Sequence, residues 1–340
     1  MGALDQIYSY VSALRTHRRP AFRRWREPTL KFFSQGFGDM KRVTELETLI
    51  YAQGSAAFSD IDQLSWEAPK EQGVLYTRRA TCRSPLASFL PEESANMHLQ
   101  LVMSRDYFLP GLNDPDRMDA TDQRQPVKGI MVHLAPTGDM GFAFRTKLMA
   151  EPMAQQGYAS LLLIIPYYGR RKPHAQIKHY ASTVADYLTC CFGSFVEAAK
   201  LTQYCRTQFS QVPVGLTGMS LGGAMACMAS GLDHGDLVLL ACVGSASPRV
   251  MVNALAKDAN CSLEAARDRL AQVLGDFVLP IESETLAECM KAESTTSKFQ
   301  WVPGGHVTAM LNASTNFVPA LDELFGRLEP QSTVIASSPA

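Results

Sequence analysis

The chain has 340 residues, 46% of them hydrophobic, with 32 Lys and Arg against 33 Asp and Glu for a formal net charge of −1. That length holds one large α/β domain with an added segment, and the balanced charge gives no global attraction to nucleic acid or to an acidic partner. The longest apolar runs, such as 160–166 and 237–243, fall well short of the ~20 residues that a membrane-spanning helix needs.

Residues 1–60 read as a helical lead-in. Arg15, Arg18, Arg19, Arg23, Arg24, Arg26 and Lys31 alternate there with Tyr10, Phe22, Trp25, Phe32 and Phe33, opposed by Asp5 and Glu27. Such a start suits an organelle transit peptide or a peripheral membrane contact. It equally suits a solvated basic helix held to the domain by its aromatics. The expected location is intracellular, with mitochondrial or membrane-peripheral placement suspected. The spacing then predicts strands at 74–79 and 98–104, a polar loop over 111–125, and a strand–helix alternation. Strands fall at 129–134, 160–165, 212–216 and 237–243, and helices at 142–155, 181–208 and 224–229. A mostly helical 251–274, a short strand at 299–302 and a closing helix at 317–328 follow. The expected architecture is a doubly wound, mostly parallel α/β sheet over 61–330, with functional loops at the carboxyl ends of its strands and a disordered tail at 331–340. The eight cysteines, Cys190 and Cys191 among them, lack metal-site spacing and read as reduced packing residues; no metal or cofactor is called for.

Gly218-Met219-Ser220-Leu221-Gly222 is a G-x-S-x-G pentapeptide between an apolar strand and a helix rich in small residues. That turn exposes a serine hydroxyl and aims the next N–H, from Leu221, at a developing oxyanion. A chance match is the alternative for a bare pentapeptide; the strand–turn–helix context argues against it. A base must take the serine proton, and His306, after Gly304-Gly305, follows Ser220 in the order this fold requires. His133 lies inside a strand and reads as a core histidine, and His174 and His179 as surface residues. The loop after the 129–134 strand, Ala135-Pro136-Thr137-Gly138-Asp139, offers the Thr137 N–H as second oxyanion donor, or is an ordinary turn. Tyr167, Tyr168, Arg170, Arg171 and Lys172 follow another buried strand and suit either an anionic substrate group or salt bridges to neighbouring loops.

Several runs together resemble the alpha/beta-hydrolase domain-containing protein 18 family. They are Leu134-Ala135-x-Thr137-Gly138-Asp139, Leu148-Met149-Ala150-x-Pro152-Met153, Ala159 to Leu163 with Pro166-Tyr167-Tyr168-Gly169-x-Arg171-Lys172-Pro173, Gly215 to Gly223, and Gly304-Gly305-His306-Val307. The resemblance implies an α/β-hydrolase fold, Ser220 as nucleophile, His306 as base, and lipid or ester hydrolysis. Pro136 and Met140 depart from the family's glycine and histidine, and its acidic Asp-x-Tyr-x-Pro segment has no counterpart. Residues 281–301 are also too few for a strand–helix–strand unit of ~30 residues. The expected sheet therefore lacks the strand carrying the catalytic acid. Either Asp276, Glu282 or Glu284 is recruited, or the triad is a dyad. The reading is a serine hydrolase acting on a small-molecule or lipid ester. The alternative is a catalytically impaired hydrolase-fold protein with a binding or scaffold role, and a third reading is an acyltransferase on the same scaffold.

Overall fold

The computed structural model describes residues 32–112, 124–233, 235–242 and 306–326, the side chains of 306–308 excepted. The basic cluster up to Lys31, the candidate acids Asp276, Glu282 and Glu284, the expected missing strand and the 331–340 tail lie outside the described residues.

Helix α1, Met40–Gln53, starts where the Asp39 side chain accepts the Arg42 N–H at 3.2 Å, and it buries Val43, Leu46 and Ile50 at helical spacing. These residues share one apolar cluster with the sheet, so 32–60 is built into the domain core. The strands are β1 Ser65–Trp66, β2 Lys70–Gln72, β3 Leu75–Arg83, β4 Asn96–Ser104, β5 Tyr107–Phe108, β6 Gln125–Pro126, β7 Gly129–Leu134, β8 Tyr158–Ile164, β9 Val214–Met219 and β10 Val238–Cys242. Among the described residues the main sheet runs β1-β3-β4-β8-β7-β9-β10, with β2 also paired to β3. From β8 to β10 all pairings are parallel, whereas β3 and β4 pair antiparallel, and so do β4 and β8. Every residue of β7, β8 and β9 is buried, as expected of strands covered on both faces.

The crossover between β7 and β8 is helical: α2 Ala143–Arg145, a π stretch Thr146–Ala150, then α3 Glu151–Gln155. Helix α4, Val184–Gln208, opens on a capping box in which Thr183 and Asp186 satisfy each other's N–H groups. After β9 comes α5, Leu221–Leu232. Alternation along β7 places Ile130, Val132 and Leu134 against one core, and Met131 against a second made with Met149, Met153, Tyr158 and Met219. That second core is closed by the C-terminal elements α6 His306–Leu311, α7 Ala313–Asn316, a 3₁₀ turn Val318–Ala320 and α8 Leu321–Gly326, through Ala313, Val318, Leu321 and Phe325. In place of the single closing helix expected over 317–328 stand the 3₁₀ turn that holds Pro319 and then α8. His306, expected on a surface loop, is the first residue of α6. No helix of the described residues is long and apolar enough to cross a membrane.

Candidate active site

The chain leaves β7 toward β8 on one side, whereas β9 and β10 build up on the other. Strand order therefore reverses at β7, and the loops leaving β7 and β9 diverge there at the same end of the sheet. Such a switch point is where doubly wound sheets bind their ligands. Register fixes the level: His133 pairs with Thr217 and Leu134 with Gly218, so the 135–141 loop and Ser220 emerge side by side.

Ser220 has φ 55° and ψ −120°, a conformation L residues rarely adopt, and it stands half-buried at the head of α5. Strain of this kind costs about 1–3 kcal/mol and persists where the surroundings impose it. Its N–H donates to the Cys242 carbonyl at the end of β10 at 3.0 Å, and its own carbonyl accepts the Ala224 N–H at 3.1 Å. Both flanking glycines are sterically required. A Cβ on Gly218 would collide with the Gly222 carbonyl, and one on Gly222 would stand 2.5 Å from the Leu134 carbonyl oxygen. The head of α5 therefore rests directly on the end of β7. Leu221 opens the helix, where N–H groups have no acceptor within the helix and the dipole favours negative charge.

The neighbouring loop is held from below. The Arg145 guanidinium, 1% exposed, donates to the Asp139 carboxylate at 2.7 Å, to the His133 carbonyl at 2.7 Å and to the Gly141 carbonyl at 2.9 Å. The Asp139 N–H closes a turn onto the Pro136 carbonyl at 3.2 Å. Thr137 sits exposed at the tip.

The run at 166–172 sits otherwise than its cations suggest. Arg171 is fully buried, paired with an equally buried Glu197 at 2.5 Å and donating to the Ser94 and Ile164 carbonyls. The expectation that Arg171 reads a substrate anion gives way: its charge is already committed. The Lys172 ammonium donates to the carbonyls of Pro173 and Gln176, while Arg170 is exposed. Tyr167 is buried at φ 64°, its N–H donating to Ser94 Oγ at 3.0 Å. Tyr168 is buried too. Burial first, then neighbouring thiols, holds the Tyr168 pKa well above its ordinary value.

Sequence reasoning missed an aromatic group beside this loop. Phe32 packs on His179, Tyr180 and Tyr187 with ring centroids 5.0–6.3 Å apart, and His179 stacks on Tyr180 at 4.4 Å. His179, expected at the surface, is half-buried with its imidazole 3.6 Å from where a Gly138 Cβ would stand. Burial, followed by Lys178, lowers its pKa. His133 is buried as expected, its pKa pushed down to about 3 by burial and then by Arg145. Among the described residues no group of three His, Cys, Asp or Glu side chains could hold a metal ion.

Among solved structures, the chain is similar to a cold-adapted esterase from an Arctic intertidal metagenomic library, with 11% identity over 78% of this chain and 100% of that one and a TM-score of 0.44. It is also similar to TT1662 from Thermus thermophilus, with 16% identity, 67% and 94% coverage and a TM-score of 0.41. It spans 57% of the length of a similar Bacteroides fragilis protein, at 12% identity over 66% of this chain and a TM-score of 0.38. The sequence pattern of one α/β-hydrolase family matches residues 30–254, which takes in both the elbow and the loop after β7 but stops short of His306. On that match the chain belongs to the Alpha/beta hydrolase domain containing 18 family.

Proposed function

We propose that the protein is a serine hydrolase that cleaves a carboxylic ester, with a lipid acyl ester as its substrate. The carrying observation is Ser220 held at φ 55° at the head of α5, in register with the loop that leaves β7. Ser220 Oγ attacks the ester carbonyl carbon while His306 takes its proton. The carbonyl oxygen becomes an oxyanion facing the Leu221 and Thr137 N–H groups. Its collapse breaks the bond to the alcohol oxygen, which leaves with the proton from His306. Water then attacks the acyl-enzyme by the same proton path and releases the acid and the free serine. Asp276, Glu282 or Glu284 orients the imidazole, or Ser220 and His306 act as a dyad. The half-buried group of Phe32, His179, Tyr180 and Tyr187, whose His179 lies against Gly138, favours an apolar acyl group.

A fluorophosphonate probe should label the full-length protein and lose the label in Ser220→Ala, and long-chain p-nitrophenyl esters should turn over faster than acetate. Labelling that survives Ser220→Ala removes the nucleophile assignment. A second reading, a hydrolase-fold binding or scaffold protein, draws on residues 281–301 being too few for the strand–helix–strand unit that would carry an acid. A wild-type protein that neither labels nor hydrolyses esters selects that reading.

A further inference from the structure

Three parallel strands leave a notch at the end of the sheet away from Ser220. Gly129 opens β7, Tyr158 opens β8 and Gly215 lies second in β9. Gly129 pairs with Tyr158, and Met131 with Gly215, so all of them face one side of the sheet. The Phe325 ring fills the notch. A Cβ on Gly129 would stand 2.5 Å from it, and one on Gly215 would collide with Met131 and stand 3.1 Å from the same ring. The Phe325 and Tyr158 ring centroids are 5.0 Å apart. Beside them the Asp322 carboxylate accepts the Tyr158 hydroxyl at 2.6 Å and the Lys128 ammonium at 2.9 Å. Both Asp322 and Phe325 belong to α8, the last described element of a segment that begins at His306. Within that segment the Asn316 amide donates to the Ala309 carbonyl at 3.4 Å and so ties α7 to α6, while Ala313, Val318 and Leu321 enter the second core.

We propose that Phe325, Asp322 and Tyr158 are positioning residues that dock the C-terminal segment at the amino end of the sheet and thereby set where His306, at the start of that segment, stands. The proposal rests on the serine-hydrolase reading for the role of His306, though not for the docking. Helix α6 has six residues and α7 four, too short to keep a fixed conformation in water on their own. A base carried on such pieces is placed by whatever docks them. The Lys128–Asp322 pair is about half exposed on both sides, so by itself it holds little. The enclosed ring holds more: Phe325 is buried, in a slot that exists only because residue 129 has no side chain. Asp322 lies one helical turn before Phe325, so its contacts with Tyr158 and Lys128 fix how α8 enters. The two glycines then serve a site at the far end of their strands, about 20 Å away at 3.3 Å per residue.

The test uses Gly129→Ala, which evicts the ring, and Phe325→Ala, which removes it. Gly129→Ala combined with Phe325→Leu, whose smaller side chain leaves room for the new methyl, should restore docking. In the single variants amide hydrogen exchange across 306–326 should accelerate while exchange in α4 stays as in wild type. Ester turnover should lose kcat by about tenfold with KM unchanged, as expected for a misplaced base, and the combined variant should recover both. If Gly129→Ala unfolds the sheet, Phe325→Ala carries the comparison. In a His306→Ala background Phe325→Ala should leave the residual fluorophosphonate labelling unchanged, since the residue it positions is gone. Faster exchange with unaltered kcat, or equal slowing in both backgrounds, overturns the positioning role. A wild type that neither labels nor turns over esters ends the serine reading on its own. Exchange then still decides the docking: acceleration in Phe325→Ala with recovery in the combined variant sustains it, and unchanged exchange refutes it.

Discussion

Arg171 and Glu197 form a fully buried ion pair at 2.5 Å, and Ser84 Oγ donates to the same carboxylate at 2.5 Å. Removing one member leaves the other as an uncompensated buried charge, which costs about 3–5 kcal/mol. Arg171→Met or Glu197→Gln should therefore lower stability by that amount in urea unfolding, while exposed Arg170→Gln should stay within about 0.5 kcal/mol of wild type. Equal, small effects of Arg170→Gln and Arg171→Met would contradict the assigned burial.

Backbone strain at the nucleophile gives a second expectation. Glycine adopts positive φ without steric cost, whereas alanine retains the penalty that serine carries, about 1–3 kcal/mol. Glycine also gains freedom in the unfolded chain, which offsets part of this by about 0.4–1 kcal/mol. Ser220→Gly should thus be more stable than Ser220→Ala by about 1 kcal/mol in denaturant titrations, with neither variant labelled by fluorophosphonate. An alanine variant as stable as the glycine one would remove the strain.

His133 sets a pH dependence. Its pKa is about 3 in the folded protein because of burial and then the Arg145 charge, against about 6.5 when unfolded. Above pH 6.5 it is neutral in both states, and its contribution is fully present. Between pH 6.5 and 3 the unfolded chain binds a proton that the folded one refuses, so stability falls by about 1.4 kcal/mol per pH unit. His133→Met should flatten the slope of unfolding free energy by about that much between pH 6 and 4. Parallel slopes for variant and wild type would show that the group titrates normally.

How much of this was open to reading depends on the range of the interaction. The elbow could be read because its chemistry is local: a strand, a serine between glycines and a helix all fall within twenty residues. The chain order of elements followed for the same reason, since apolar runs of strand length declare themselves. Arg171 could not be placed, because its role is decided by Glu197 on a different helix. One signal was available. Glu197 stands among Phe195, Val196, Ala198 and Ala199, and an acid in so apolar a stretch of helix calls for a buried cation. The aromatic group was missed because Phe32 precedes Tyr187 by most of the domain, and only folding brings the two rings to 6.3 Å. His306 read as a loop residue since two glycines precede it in the sequence, but it is itself the first residue of α6.

Strand order at β7 bears on how the chain is made. Both neighbours of this central strand, β8 and β9, lie later in the sequence. As the polypeptide is synthesised, Gly129–Leu134 must therefore emerge with its hydrogen-bonding groups open on both sides, an apolar six-residue template for wrong partners. Its first side closes once residues 158–164 exist, and its second only when 214–219 do. That second closure also sets Gly222 against Leu134. The pairing that covers the second edge of β7 is therefore the same one that assembles the surroundings of Ser220.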